Sequence, residues 1–244
     1  MSPSAAVRSG YHHGDLRNAL IEAAAELAQS GGPRAVTIRA AARVVGVTPT
    51  AAYRHFAGHE ELLAAAKDEA MARLTAAMDE ELRLRTGIED RVERALGNLA
   101  ALGRGYLNFA LAQPGLFHTA FSRAGTVLPP RDAQRADGPF GKLVDALDEL
   151  VACGYLPDER RPLAEFTAWS MTHGMAMLFV DGPMREAGED IRDEALLRSM
   201  LLFAEGLGGG ALSEQRRAVV ARAARGPAHD ARSADVPLGG GDAS

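Results

Sequence analysis

The sequence predicts an all-α fold in two parts, and three observations carry that expectation. Apolar residues make up 47% of the 244 positions but aromatics only 5%, so the core must be built from Leu, Ala, Val and Met, which favour helices over sheets. Segment after segment places its apolar residues three and four apart, with Gly, Pro or Thr between segments, which is the helical period. Nowhere does a β-branched run alternate with polar residues or end in a hairpin dipeptide.

Residues 1–12 have no apolar pattern and read as a flexible arm. A first helix begins near Gly14, with Leu16, Leu20, Ala23, Ala24 and Leu27 on one face, and Gly31-Gly32-Pro33 ends it. Thr37 reads as the N-cap of a second helix, in which Ile38, Ala41, Ala42 and Val45 share a face. Gly46 breaks that helix. Thr48 caps a third, with Pro49 at the first helical position, where a missing N–H costs little. A fourth helix follows Gly58 and runs to about Arg85, with Glu60 and Glu61 suiting the positive end of its dipole. Further helices are expected over Glu89 to Ala112, Leu116 to Ser122, Phe140 to Cys153, Pro162 to Val180 and Ile191 to Gly206. Clear breaks fall at Gln113-Pro114-Gly115 and around Pro129-Pro130. The expected organisation is an arm (1–12), a helix-turn-helix domain (13–60), a second helical domain (61–207) and a disordered tail (208–244) carrying at most a short helix over 213–225.

The net charge of −5 speaks against nucleic acid, but its distribution reverses that. Residues 1–59 hold six arginines and three acids, a net of +3, together with four of the seven histidines; the remainder nets −8. Local charge is what attracts phosphate. Cys153 is the only cysteine, no apolar run reaches the ~18 residues that span a bilayer, and residues 1–13 lack the apolar core of a secretory signal. A cytoplasmic location is the expectation.

The stretch Thr37 to Leu63, TIRAAARVVGVTPTAAYRHFAGHEELL, holds two short helices joined at Gly46-Val47. A second helix held out by the first is the shape that enters a major groove about 12 Å wide. Ala42 is small where the helices cross, and Val47 and Phe56 anchor the second helix. The residues Thr37, Ile38, Ala42, Gly46, Val47, Thr48, Tyr53, His55, Phe56, Glu60 and Leu62 resemble the motif of the TetR family of regulators. That resemblance implies a homodimeric repressor on a palindromic double-stranded operator, released by a small-molecule effector. It implies that Arg39 approaches a base edge or phosphate, that Pro49, Thr50 and Ala51 face bases, and that Thr37, Thr48, Tyr53 and His55 hold phosphates. The N-terminus of the fourth helix would add one phosphate contact. The sequence departs from the family at His59, where lysine is usual, and at Ala41 and Ala52, where larger residues are usual. No Gln, Asn or second Arg is expected to face the groove, so specificity would rest on Arg39, on methyl contacts and on DNA shape.

Farther along, Tyr106-Leu-Asn-Phe-Ala-Leu-Ala-Gln-Pro-Gly-Leu-Phe and Trp169-Ser-Met-Thr-His173-Gly174 resemble the Trp…His-Gly subgroup of that family's C-terminal domain. An apolar ligand pocket is expected among Phe109, Phe117, Phe121, Leu147, Trp169 and His173. His173 has two readings: a buried histidine bonded to backbone, or a cavity-lining group that senses ligand. Apolar surface in surplus of one small core, at Met171, Met175, Leu178, Leu196, Met200 and Phe203, points to a dimer interface formed as an intersubunit four-helix bundle.

Two other classes were weighed. A helix-turn-helix used only for protein contacts has the same shape. An all-helical enzyme would need a site, and the sequence offers neither phosphate loop, dinucleotide fingerprint nor His-Glu-x-x-His; His12-His13 has no partner ligands at metal spacing. Neither catalytic residues, cofactor nor metal is expected, and membrane is not an expected partner.

Overall fold

The computed structural model describes residues 13–85, 87–122 and 138–225; the expected arm, the Pro129-Pro130 loop and residues 226–244 lie outside them. The fold is all-α, with helices α1 (His13–Gly31), α2 (Ile38–Val45), α3 (Pro49–Ala52), α4 (His59–Arg83), α5 (Arg91–Ala112), α6 (Pro114–Ala120), α7 (Pro139–Ala152), α8 (Ala164–Val180), α9 (Glu189–Gly208) and α10 (Glu214–Arg225). The chain divides into two compact units. Of the described residues, the first comprises those up to Ala72 together with 113–122, and the second comprises those of Arg73–Ala112 and of 138–225.

In the first unit, α1 packs on α2 and α6, and α2 on α3. Leu20, Ala24, Ala28, Val36, Ile38, Ala42, Phe56, Leu62, Leu116 and Phe117 form its core. Alanines predominate on the facing sides, so the helices approach closely. α6 joins this unit because of Gly115: a β-carbon there would lie 2.2 Å from the Ala28 carbonyl oxygen, so no other residue fits without moving α6 off α1. The expected border at residue 60 falls in the first turn of α4, whose first half belongs with the helix-turn-helix.

In the second unit, α5 is the central helix, with buried residues on nearly every side, and α7, α8, α9 and α10 pack around it. Gly105 lets α4 lie against α5, since a β-carbon would stand 2.7 Å from the Met78 Cα. Glu81 and Arg104 form a buried ion pair across the same contact, and Asn108 donates to Glu81 Oε1 at 3.2 Å.

The short helix expected over 213–225 is present as α10 (Glu214–Arg225), and it is packed into the second unit. α10 packs on α5 and α9, burying Val220, Ala223 and Ala224. Its exposed face is arginine-rich, and only three small apolar residues face inward, so its amphipathic pattern is easily taken for low complexity. Arg217 pairs with Glu205 at 3.1 Å and Arg225 with Glu194 at 3.2 Å, fixing α10 along α9.

The apolar surplus of α8 and α9 is also smaller than expected. Leu196, Met200 and Met175 are buried within their own unit, because Gly103 of α5 leaves room for the Met200 side chain. Met171 and Phe203 are half-buried, and Leu178 is 45% exposed. Exposed apolar residues that the sequence reading did not select are Met177, Ile191 and, at 70% exposure, Leu202.

Candidate nucleic-acid interface

The helix-turn-helix is built by caps. The Thr37 hydroxyl oxygen accepts from the Ala40 N–H at 3.1 Å and starts α2; the Thr48 oxygen accepts from the Ala51 N–H at 3.2 Å and starts α3. Such caps are each worth roughly 0.5–2 kcal/mol. Each hydroxyl keeps its own proton free to donate outward, which is what a phosphate oxygen requires. Gly46 closes α2 in the left-handed region at φ 77°, and the Val47 N–H then reaches back to the Ala42 carbonyl at 2.9 Å. A side chain at Gly46 would be strained in that conformation.

α3 is only four residues long; Tyr53 to His55 continue as turns and Phe56 is buried. Arg17 of α1 lies over the Phe56 ring, 4.8 Å from its centre, tying α1 to the end of the motif. Ala41 and Ala52 are fully buried where the family carries larger residues, so α2 and α3 are seated deep in the unit.

Thr37, Arg39, Thr48, Pro49, Thr50 and His59 are exposed, and Tyr53 is 51% exposed; Ala51 and His55 are half-buried. The chain places these nine together on the helix-turn-helix and the first turn of α4. Arg43 and Arg54 are exposed as well, and sequence reasoning passed over both. The signal for Arg43 was its spacing of four from Arg39, which sets both guanidinium groups on one face of α2. Arg54 follows Tyr53 where α3 gives way to turn, and helical spacing does not place such a residue.

The N-terminus of α4 carries acids. Glu61 accepts the Ala57 N–H at 2.7 Å and stands 3.9 Å from Arg17. This carboxylate opposes a phosphate at the same helix end.

In the second unit a polar cluster joins α5 and α8. The Tyr106 hydroxyl and His173 Nδ1 share a hydrogen bond at 2.7 Å, and Tyr106 is also hydrogen-bonded by Trp169, whose indole N–H can only donate. Burial favours the neutral imidazole, lowering the His173 pKa, and raises the pKa of Tyr106. His173 is therefore bonded to a side chain, an arrangement neither sequence reading described, and Tyr106 is the partner that reading missed as a site residue. Phe140 packs on Trp169 with ring centres 4.9 Å apart. Of the expected pocket residues, Phe109 and Leu147 are buried and Trp169 and His173 half-buried in this unit. Phe117 and Phe121 instead belong to the first unit, where their rings pack 5.1 Å apart.

Among the described residues, three or more His, Cys, Asp or Glu side chains nowhere gather as metal ligands, and no helix is long and apolar enough to cross a membrane.

Residues 20–66 match the family model for bacterial regulatory proteins of the tetR family, and residues 99–204 match that for the tetracyclin repressor-like C-terminal domain. α10 lies beyond both stretches. No curated protein sequence matches the chain. Among solved structures, a protein of unknown function from Rhodococcus sp. RHA1 is 27% identical, with a TM-score of 0.64 over 81% of this chain and 98% of that one. A TetR transcriptional regulator from Streptomyces coelicolor is 22% identical, TM-score 0.58, over 81% of this chain and 99% of the other. A putative tetR family regulator from Shewanella sp. PV-4 is 21% identical, TM-score 0.55, over 79% and 97%.

Proposed function

The chain belongs to the TetR family of bacterial transcriptional regulators, and we propose that it is a homodimeric repressor that reads a palindromic operator and is released by a small apolar ligand. The observation that carries the DNA reading is the exposed face holding Thr37, Arg39, Thr48, Thr50 and Tyr53 over the buried Ala42, Ala52 and Phe56. Arg39 and Thr50 meet base edges; Thr37, Thr48, Tyr53, His55 and Arg54 meet phosphates, and Pro49 and Ala51 give close apolar contact. Glu61 offsets phosphate binding at the start of α4, and Arg54 replaces part of that attraction. One half-site engaged by so few side chains discriminates poorly, so two recognition helices acting together are needed.

The dimer forms through the exposed faces of α8 and α9, centred on Leu178, Ile191 and Leu202 with Met171 and Phe203 at their flanks. Met175, Leu196 and Met200 support that surface from beneath. The ligand is sensed in the second unit near Tyr106, Trp169 and His173, where a half-buried histidine reports a change in its hydrogen bonding. Ligand and operator oppose each other reciprocally, with a coupling of about 1–3 kcal/mol as is typical for allostery.

The test is a gel shift with the full chain on the DNA upstream of its own gene. A retarded complex with two protomers per site supports the reading. No complex there, or on any palindrome recovered by selection from random duplexes, overturns it. The enzyme reading draws on no observation of the structure; the protein-interaction reading shares the fold and is separated by the same gel shift.

A further inference from the structure

A cleft of about 500 Å³ lies in the second unit between the loop that follows α4, the first turn of α5, and α10. Two guanidinium groups line it, Arg85 and Arg222. Arg85 is half-buried, and its Nε and one terminal nitrogen are shut from solvent with no hydrogen-bond partner. Neither arginine has a carboxylate within ion-pair distance among the described residues. Burial, and behind it the charge of Arg222, pulls the Arg85 pKa below its ordinary value. Two like charges beside one cleft, one of them half-desolvated, form an arrangement that a bound anion stabilises and an empty cleft does not.

The rest of the lining says what kind of anion. Glu89, Asp90 and Glu93 border the same cleft. Asp90 is engaged by the Glu93 N–H at 2.8 Å, but its charge and those of its neighbours repel a phosphate carrying two. The same carboxylates repel a singly charged anion about half as strongly, so a monoanion is what the two guanidinium groups can hold against them. Ile88 and Val219 supply apolar wall, and the volume lies within the range of small-molecule sites, roughly 300–1,000 Å³.

We infer that this cleft, walled by Arg85 of the loop that follows α4 and Arg222 of α10, is a binding site for an organic monocarboxylate with an apolar body. The carboxylate lies between the guanidinium groups, and the apolar body lies along Ile88 and Val219. The site is separate from the sensing cluster at Tyr106 and His173, and it stands whether or not the DNA reading does.

The experiment is isothermal titration calorimetry of the full chain with 2-naphthoate, with 2-naphthamide as the neutral isostere, both at constant chloride. The expected result is one 2-naphthoate per chain, with the amide at least about tenfold weaker, about 1.4 kcal/mol, because it cannot make the charge-assisted contact. Arg222→Gln, at an exposed position, should weaken 2-naphthoate about tenfold or more, and Arg222→Lys should restore most of the loss. Arg85→Gln should weaken it likewise, with circular dichroism reporting that the helices remain. Absence of heat from 2-naphthoate, equal affinity for acid and amide, or unchanged affinity in Arg222→Gln would each overturn the site. Operator binding, followed separately by gel shift, bears on the repressor reading and not on this one.

Discussion

Tyr106→Phe removes one oxygen atom and leaves the ring, which is 5% exposed, in place. The loss is two hydrogen bonds: the one shared with His173 Nδ1 at 2.7 Å and the one accepted from Trp169. A neutral intramolecular hydrogen bond contributes about 0.5–1.5 kcal/mol net, so the pair is worth about 1–3 kcal/mol. His173 and Trp169 are only half-buried, so water reaches part of what is orphaned, and the lower half of that range, about 1–2 kcal/mol, is expected. Trp169 is the chain's single tryptophan, so its fluorescence reports unfolding of this unit directly. Urea titrations of the parent, Tyr106→Phe, His173→Ala and the double variant close a thermodynamic cycle, in which the coupling between Tyr106 and His173 should be on the order of 1 kcal/mol. The same samples test a pH effect. Burial lowers the folded-state pKa of His173, so between that value and the unfolded value, about 6.5, the unfolded chain binds more protons than the folded one. The contribution to stability is present above the unfolded value and is lost as pH falls through the folded one. His173→Ala should therefore flatten the acid limb of the stability curve. A coupling indistinguishable from zero, together with an unchanged acid limb, would refute the hydrogen-bonded cluster.

Other perturbations separate the remaining roles. In operator titrations by fluorescence anisotropy, Arg39→Ala should cost about 1–3 kcal/mol and relax preference at one base pair, whereas Tyr53→Ala should weaken all sequences alike; equal loss of preference in both would count against the division. Operator affinity should fall steeply with salt as phosphate contacts release counterions, and a flat dependence would remove phosphate from the account. In sedimentation analysis Leu202→Arg should give folded monomers, while Met200→Glu should destabilise the protomer itself by burying an unpaired charge; a dimeric Leu202→Arg variant would move the interface elsewhere. Truncation after Gly210 should lower the thermal stability of the second unit, because α10 covers α5; an unchanged melting temperature would return α10 to the status of a tail.

The sequence by itself determined the first nine helices, the motif and its family, and offered the tenth only as a short helix within a tail. Local chemistry is sufficient there: Thr37 and Thr48 cap, Gly46 turns and Pro49 starts a helix without reference to anything distant, and apolar spacing marks each inward stripe. Whatever depended on which stripe meets which neighbour was decided only by tertiary packing. Met200 and Leu202 are both apolar and two residues apart on α9, yet one is buried against Gly103 and the other is the most exposed large apolar residue described. Periodicity sets the two on opposite faces of the helix, but which face turns inward is decided by where α5 sits. Gly115 drew α6, with Phe117 and Phe121, to the first unit by allowing contact with the Ala28 carbonyl. Tyr106 and His173 stand 67 residues apart in the chain, and Arg85 and Arg222 are still farther apart. A hydrogen bond or shared cleft between such residues exists only once the helices carrying them have packed, because side-chain interactions act over a few ångströms while the sequence records only order along the chain.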